Sequence, residues 1–500
     1  VANLSLLNTN WYIKQLKHEH GIDFGWTDEQ IDKLRPYFDK KDRIVMVKDL
    51  AAKRIVEREA AKRTLHLAVT VPDQMGLDDR LVMTGLSFQI EDAQPGGERI
   101  DTDATVKNLR EVYKYRGLLR PDGSYDESVY KDENARRLMG EQKLDALMLT
   151  GGTSLVYFSG IQWGLSERLF SLVIPKSGEP FVVCPAFEED RAREQFATSP
   201  FGGTADVRTW EEHESPYERL AQGLKDRGVT TGRIGIEETV RHVFVDGLAK
   251  AAPGLTLVSG TPVTAGCRAV KDAHELALMK LASEVTLKAY EAAWKGLKEG
   301  MTQRDFGGLV AAAHQQLGFP GGASVQTGEY SALPHGSITP QVIREGTIIL
   351  IDGGCSVEGY ESDISRTFVL GRATDKMKKV CEIVFDAQTA ALKAARPGLP
   401  CEAVDAAARK VIEDAGYGPG YKYFTHRVGH GMGMDGHEWP YLVKGNTLPL
   451  APGMTFSDEP GVYIRGEFGV RLEDDMYITE SGAALMTPQS RSLETPFATS

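Results

Sequence analysis

Four of the chain's eleven histidines, His335, His426, His430 and His437, fall in its last third, where Asp352, Asp363, Glu459 and Glu473 also lie. Asp352 closes the apolar run 347–352. A carboxylate at the end of a buried strand costs free energy unless it is paired or bound to a metal. Asp363 follows at the start of a second strand-like run, 363–370, with Gly353, Gly354 and Gly359 between. A hairpin there sets both carboxylates on neighbouring strands, close enough to share one ion. Glu473 stands two residues after Arg471, so on one strand the two face the same side. His430 sits in a glycine-rich turn, where backbone approaches a ligand closely. Each feature alone has a plainer meaning: a strand-end cap, a surface ion pair, a histidine without a task. Together, two Asp, one His and two Glu make an oxygen-rich ligand set with one imidazole. That set suits two divalent ions, Mn²⁺ first, with Co²⁺, Zn²⁺ or Fe²⁺ as alternatives, rather than a structural zinc held by thiolates. Two metals about 3.5–4 Å apart hold a bridging water and polarise a carbonyl. His335, His426 and His437 are then available to the substrate or the developing oxyanion.

These residues need elements to carry them. From about residue 264 the pattern predicts an amphipathic helix over 272–298 and another over 303–317, followed by strands and a hairpin. A long helix pair over 375–395 and 401–415 comes next, then a strand-rich tail from His426 to Met486. Helix, helix, strands therefore occurs twice, which hints at two halves built alike. Residues 137–263 alternate in the manner of a small α/β domain. Helices are expected over 134–142, 187–195 and 244–251. Strands are expected over 146–149, around 155–158, and over 170–174, 181–184, 233–236 and 255–258. Residues 1–136 mix helix-like stretches (45–62, 104–115) with strand-like ones (64–72, 81–90). They show no catalytic constellation, and His18 and His20 sit among charged neighbours.

Composition narrows the function classes. A chain of 500 residues with 41% hydrophobic and 26% charged residues is long enough for several packed cores and is not of disordered composition. A net charge of −12 argues against a general nucleic-acid coat or a basic membrane-surface protein. No apolar run approaches the roughly 18 residues of a membrane helix. Residues 1–15 lack a basic segment followed by an apolar one, so no secretory leader is expected. Five scattered cysteines, Cys184, Cys267, Cys355, Cys381 and Cys401, form no CxxC and suit a reducing cytoplasm. Cys355 lies near Asp352, but no local histidine equips it as a nucleophile.

The order Asp352, Asp363, His430, Glu459, Glu473 resembles the metallopeptidases of the pita-bread fold: methionine aminopeptidase, aminopeptidase P and prolidase, with creatinase as a relative. The phrases carrying the resemblance are PHG (334–336), IDGG…GYESDISRTF (351–368), HRVGHGMGMDGHE (426–438), DEPGVY (458–463) and VRLEDD (470–475). The spacing of His426, His430 and His437 is most similar to the branch that cleaves before proline. Residues 155–168 and 183–189 resemble the N-terminal domain of bacterial Xaa-Pro peptidases. The resemblance implies a creatinase-like α/β domain over 137–263 and a pita-bread catalytic domain over 264–495, behind a mixed N-terminal extension, 1–136. It implies metal ligation by Asp352, Asp363, His430, Glu459 and Glu473, with Asp363 and Glu473 bridging. Glu459 also accepts the proton of the attacking water, and His335 and His437 hold substrate and stabilise the tetrahedral intermediate. His426 lines the proline side, and Arg471 supports Glu473 or the far end of the substrate.

The implied activity is Xaa-Pro aminopeptidase, with Xaa-Pro dipeptidase (prolidase) as the alternative. A creatinase-like amidinohydrolase or a non-catalytic peptide-binding module fits less well, because the ligand set is intact. A proline-containing peptide substrate, a homodimer, a cytoplasmic location and no nucleic-acid partner complete the expectation. Residues 1–136 resemble instead the soluble tail of a family of bacterial multi-span membrane proteins, through 8–16, 67–72 and 130–137.

Overall fold

The computed structural model describes residues 127–197, 199 and 206–497, together with two short strands, β1 (Arg63–Leu65) and β2 (Ile90–Asp92). β1 and β2 pair antiparallel. The expected helices over 45–62 and 104–115, His18, His20 and the segments 8–16 and 67–72 lie outside the described residues. The expected strands over 64–72 and 81–90 meet them only at β1 and β2.

The α/β part opens with the helix Glu127–Gln142. Its sheet contains β3 (Ala146–Thr150), β4 (Ser171–Pro175), β5 (Phe181–Pro185), β6 (Asp206–Trp210), β7 (Gly232–Ile236) and β8 (Leu255–Ser259), in the order β6-β5-β4-β3-β7-β8. β3 pairs antiparallel with β4 and parallel with β7. Alternate residues of β3 serve opposite faces. Leu147 and Leu149 join one apolar cluster, Ala146 and Met148 another. A central strand covered on both sides reads as a continuous apolar run, and β3 does.

The expected strand around 155–158 is a helix, Thr153–Ser159. A short apolar run does not distinguish the two by periodicity. Here Leu155 and Phe158, one helical turn apart, both enter the cluster below the sheet, and Gly160 ends the helix at φ 69°, the left-handed cap position. β6, the helix Pro216–Asp226 and the helix Thr261–Ala269 carry no expectation from the sequence. The last of these runs across residues 263–264.

The remaining chain repeats one order of elements. The helices Ala273–Lys295 and Gln303–Leu317 precede β9 (Gly321–Thr327), β10 (Ile348–Val357), β11 (Tyr360–Glu361) and β12 (Ile364–Val369). β10 pairs antiparallel with β9, β11 and β12. The helices Asp375–Ala394 and Cys401–Asp414 then precede β13 (Gly429–Gly431), β14 (Glu438–Leu442), β15 (Thr455–Asp458), β16 (Gly461–Ile464), β17 (Phe468–Arg471), β18 (Asp474–Ile478) and β19 (Ala483–Leu485). Their main sheet runs β14-β13-β15-β18-β19, and β16 pairs with β17. The second helix pair packs on this sheet through Val380, Val384, Val404, Ala408, Phe456 and Met476, all buried.

The helix Ala273–Lys295 starts with a capping box. The Asp272 side chain accepts from the Glu275 amide at 2.9 Å, and Glu275 accepts from the Asp272 amide at 2.8 Å. Glu275 also accepts from the Tyr360 hydroxyl at 2.6 Å, which ties the helix to the β10–β11 hairpin. Replacing Asp272 by Ala leaves helix donors without a partner, so unfolding in urea is expected to show a loss of about 1–2 kcal/mol. An unchanged midpoint would show that the cap is dispensable.

Candidate metal centre

β10 and β12 present the two aspartates. Asp352 lies in β10 opposite Ser365, and Asp363 immediately precedes β12. His430 occupies β13, a buried three-residue strand rather than the turn its glycines suggest. Glu459 follows β15, and Glu473 lies between β17 and β18, so Arg471 and Glu473 do not share one strand. Both halves of the catalytic region therefore contribute.

The side chains converge. One ligand atom each from Asp352, Asp363 and Glu473 lies within 4.8 Å of the others, and the same holds for His430, Glu459 and Glu473. His430 Nε2 is 3.4 Å from Glu459 Oε1 and 3.7 Å from Asp363 Oδ2. His430 Nδ1 faces the Gly431 carbonyl at 3.0 Å. A carbonyl only accepts, so Nδ1 carries the proton and Nε2 points its lone pair at the carboxylates, as a metal ligand requires.

The other histidines differ in placement. The His437 ring stacks on His430 at 3.7 Å between centroids. Its Nδ1 accepts from Arg427 Nη2 at 3.3 Å, which leaves Nε2–H as its free donor. His426 Nδ1 donates to the Arg427 carbonyl at 2.8 Å, and its Nε2 meets the Tyr463 hydroxyl at 2.7 Å. His335 is exposed. Among the described residues no hydrogen bond fixes its ring.

A supporting layer surrounds these groups, and apart from Arg471 it was not legible in the sequence. Ser365 hydrogen-bonds Glu473 and lies 3.0 Å from Asp352 Oδ1. Arg471 Nη2 pairs with Asp352 at 2.6 Å, and its Nε donates to Ser365 at 2.8 Å. Its Nη1 donates to the Tyr463 hydroxyl at 3.2 Å and to the Pro334 carbonyl at 3.3 Å. Arg471 is 3% exposed and thus fully engaged in holding ligands. That geometry favours the first role expected for it, support of the ligands, over contact with the far end of a substrate. Asp475 accepts from the Asp363 amide at 3.2 Å and from Ser283 at 2.8 Å. Ser365, in β12, lies two residues beyond Asp363, and Arg471 two before Glu473; these spacings are the local signals for this layer. Tyr463 and Asp475 reach the site through the β16 hairpin and the β15–β18 pairing.

Electrostatics states what such a site needs. Burial, with Asp352 next, holds the Asp363 carboxyl well above the usual range, and burial, with Asp363 next, does the same to Glu473. Burial raises Glu459 to about 7, with Arg471 opposing and Asp352 adding. Burial lowers His430 to about 3, and the neighbouring His437 adds to this. Mutually repelling carboxylates around an unprotonated imidazole make a cavity that divalent cations stabilise and that nothing neutral does. The donor set fits a metal pair. The five cysteines are buried free thiols.

Known proteins resemble this chain in sequence and fold. The model of Creatinase/Prolidase N-terminal domain matches residues 133–270, and that of Metallopeptidase family M24 matches residues 277–480. The Xaa-Pro dipeptidase of Lactobacillus delbrueckii subsp. lactis is 34% identical over 365 residues, 71% of this chain and 95% of the relative. Among solved structures, dipeptidase PepE from Mycobacterium ulcerans aligns with a TM-score of 0.69 at 32% identity, covering 74% of this chain and 97% of that one. A prolidase from Thermococcus sibiricus aligns with a TM-score of 0.66 at 32% identity, covering 74% and 99%.

Protons held by Asp363, Glu459 and Glu473 must leave when cations enter, whereas His430 is already neutral and releases none. Calorimetric titration with Mn²⁺ at pH 6.5 in buffers of different ionisation enthalpy is expected to show release of about one proton or more per metal pair. Zero release would mean that these carboxylates are ionised in the metal-free protein.

Proposed function

The chain belongs to metallopeptidase family M24, and from that premise we propose that it hydrolyses the bond before proline in Xaa-Pro dipeptides. A creatinase-type N-terminal domain and a pita-bread catalytic domain are both present. The division into an extension (1–136), an N-terminal domain (137–263) and a catalytic domain (264–495) belongs to the same proposal. So do the ligands Asp352, Asp363, His430, Glu459 and Glu473, and Mn²⁺ as the metal.

The observation that carries the dipeptidase reading is the state of the arginines. A dipeptidase must recognise a free carboxylate close to the scissile bond, whereas an aminopeptidase leaves that side open. Arg366 and Arg471 are buried and paired with Asp474 and Asp352. Arg427 is half-buried, lies on the Tyr441 ring and donates to His437. Among the described residues no carboxylate forms an ion pair with it, so its charge is available beside the candidate catalytic groups. The relatives reported above favour the same choice over the aminopeptidase reading.

The metal pair, when bound, acts as a Lewis acid toward the scissile carbonyl and lowers the pKa of water. The chain's own groups do the rest. Glu459 takes the proton of the attacking water. His437 offers its Nε2–H to the developing oxyanion. His335 steadies the substrate at the rim, and His426, held between the Arg427 carbonyl and Tyr463, lines the proline side. Buried free thiols agree with a reducing, cytoplasmic setting.

The test is hydrolysis by Mn²⁺-loaded protein of an Xaa-Pro dipeptide and of the corresponding Xaa-Pro-Xaa tripeptide. The dipeptide is expected to be cleaved in preference. Arg427→Ala is expected to raise KM for the dipeptide by about tenfold or more, the worth of one charged hydrogen bond, with a smaller change for the tripeptide. Cleavage of the tripeptide alone would return the reading to aminopeptidase.

A further inference from the structure

The turn that carries His437 is held from outside the catalytic sheet. Residues 432–437 join β13 to β14 without helix or strand, so no ladder of their own sets the direction of the imidazole. Two carboxylates flank His437. Arg268, near the end of the helix Thr261–Ala269, reaches both of them from one nitrogen. Its Nη2 donates to Asp435 Oδ2 at 2.5 Å and to Glu438 Oε1. Its Nη1 donates to Ser154 at 3.3 Å. Lys271 Nζ donates to Glu438 Oε2 at 2.9 Å. Asp435 accepts further from Thr153 at 2.6 Å, and its amide donates to Glu438 at 3.1 Å.

This junction is dry on the Glu438 side. Side-chain exposure is 8% for Arg268, 2% for Lys271 and 5% for Glu438, while Asp435, at 46%, faces solvent. It is also tight, since a Cβ at Gly433 would meet Lys271 Cε at 2.7 Å and Glu438 Oε2 at 2.8 Å. Charges paired in such surroundings keep one geometry, because displacement of either leaves the other uncompensated.

We propose that Arg268 is a positioning residue for His437: by clamping Asp435 and Glu438 on either side of it, Arg268 holds the imidazole against His430 with Nε2–H directed at the reacting carbonyl. The proposal rests on the peptidase reading for the role of His437, but not for the clamp. A guanidinium serves here because its planar fork reaches Ser154 and both carboxylates together, which a single ammonium on a shorter stem does not.

Two measurements on the full chain test it. Hydrogen exchange needs no substrate. Arg268→Ala is expected to speed amide exchange of residues 432–438 by about tenfold or more and to leave residues 455–478 unchanged. Arg268→Lys, which keeps the charge, is expected to fall between. Steady-state kinetics on an Xaa-Pro dipeptide then forms a cycle with His437→Ala. Arg268→Ala is expected to lower kcat by about tenfold with little change in KM, and to have no further effect in the His437→Ala background. Unchanged exchange of the turn overturns the proposal, as does a kcat loss that multiplies with that of His437→Ala. A wild-type chain that cleaves no Xaa-Pro peptide but whose turn loosens in Arg268→Ala would sink the substrate reading and leave the clamp standing. If the alanine variant does not fold, Arg268→Lys carries both measurements.

Discussion

Mutual repulsion among crowded carboxylates governs this molecule. Asp352, Asp363, Glu459 and Glu473 gather around one imidazole, with Glu473 buried and the other three partly exposed, and away from bulk water that repulsion grows. The fold has to hold them together against it. Part of the opposition is cationic, from Arg471 against Asp352. Part is hydrogen bonding, from Ser365 to Glu473 and from the Asp363 amide to Asp475. The remainder is left for divalent cations to supply; burial first, and neighbouring carboxylates after it, hold the carboxyls of Asp363, Glu459 and Glu473 high without them. The residues that hold the ligands are thus as much part of the centre as the ligands.

That constraint explains where charge is buried elsewhere. Arg366 is fully buried with Asp474, and it also donates to the Glu473 carbonyl at 2.7 Å, fixing the stretch between β17 and β18 from behind. Gln388, on the helix Asp375–Ala394, donates to the Asp458 carbonyl at 3.1 Å and to Asp474 at 3.0 Å. The second helix pair therefore braces β15 and β18, the strands that lead into Glu459 and out of Glu473. Buried ion pairs of this kind add little net stability, and removing one partner costs about 3–5 kcal/mol. Their effect is to allow one arrangement and no other.

The α/β region contributes through the same means. Its last helix sends Arg268 to the turn that carries His437, and Thr153, at the start of a neighbouring helix, meets Asp435 in the same turn. The imidazole that donates from Nε2 is thus oriented by residues far away in sequence. A peptidase needs such orientation more than it needs the group alone, since a donor aimed wrongly stabilises nothing in the transition state.

The candidate ligands were legible in the sequence because each sits in a short phrase whose residue types make sense together: an aspartate ending an apolar strand, an aspartate opening the next, a histidine between glycines, two glutamates in strand-rich surroundings. The periodic helices were legible for the same reason, and the helix over 303–317 matches its expected span. The short apolar run 155–158 was not, because its length suits strand or helix alike and only packing under the sheet decided. Nor were the partners of the ligands. Ser365, Tyr463, Asp475 and Arg427 are ordinary residues until strand pairing brings them to the carboxylates, and Arg268 precedes the turn it holds by well over a hundred residues. Sequence by itself determined which side chains were able to bind metal, because ligand chemistry resides in residue type. Tertiary structure alone decided how they are held, which proton each histidine carries and which arginines are tied up in ion pairs, because those depend on contacts between segments that the chain order keeps apart.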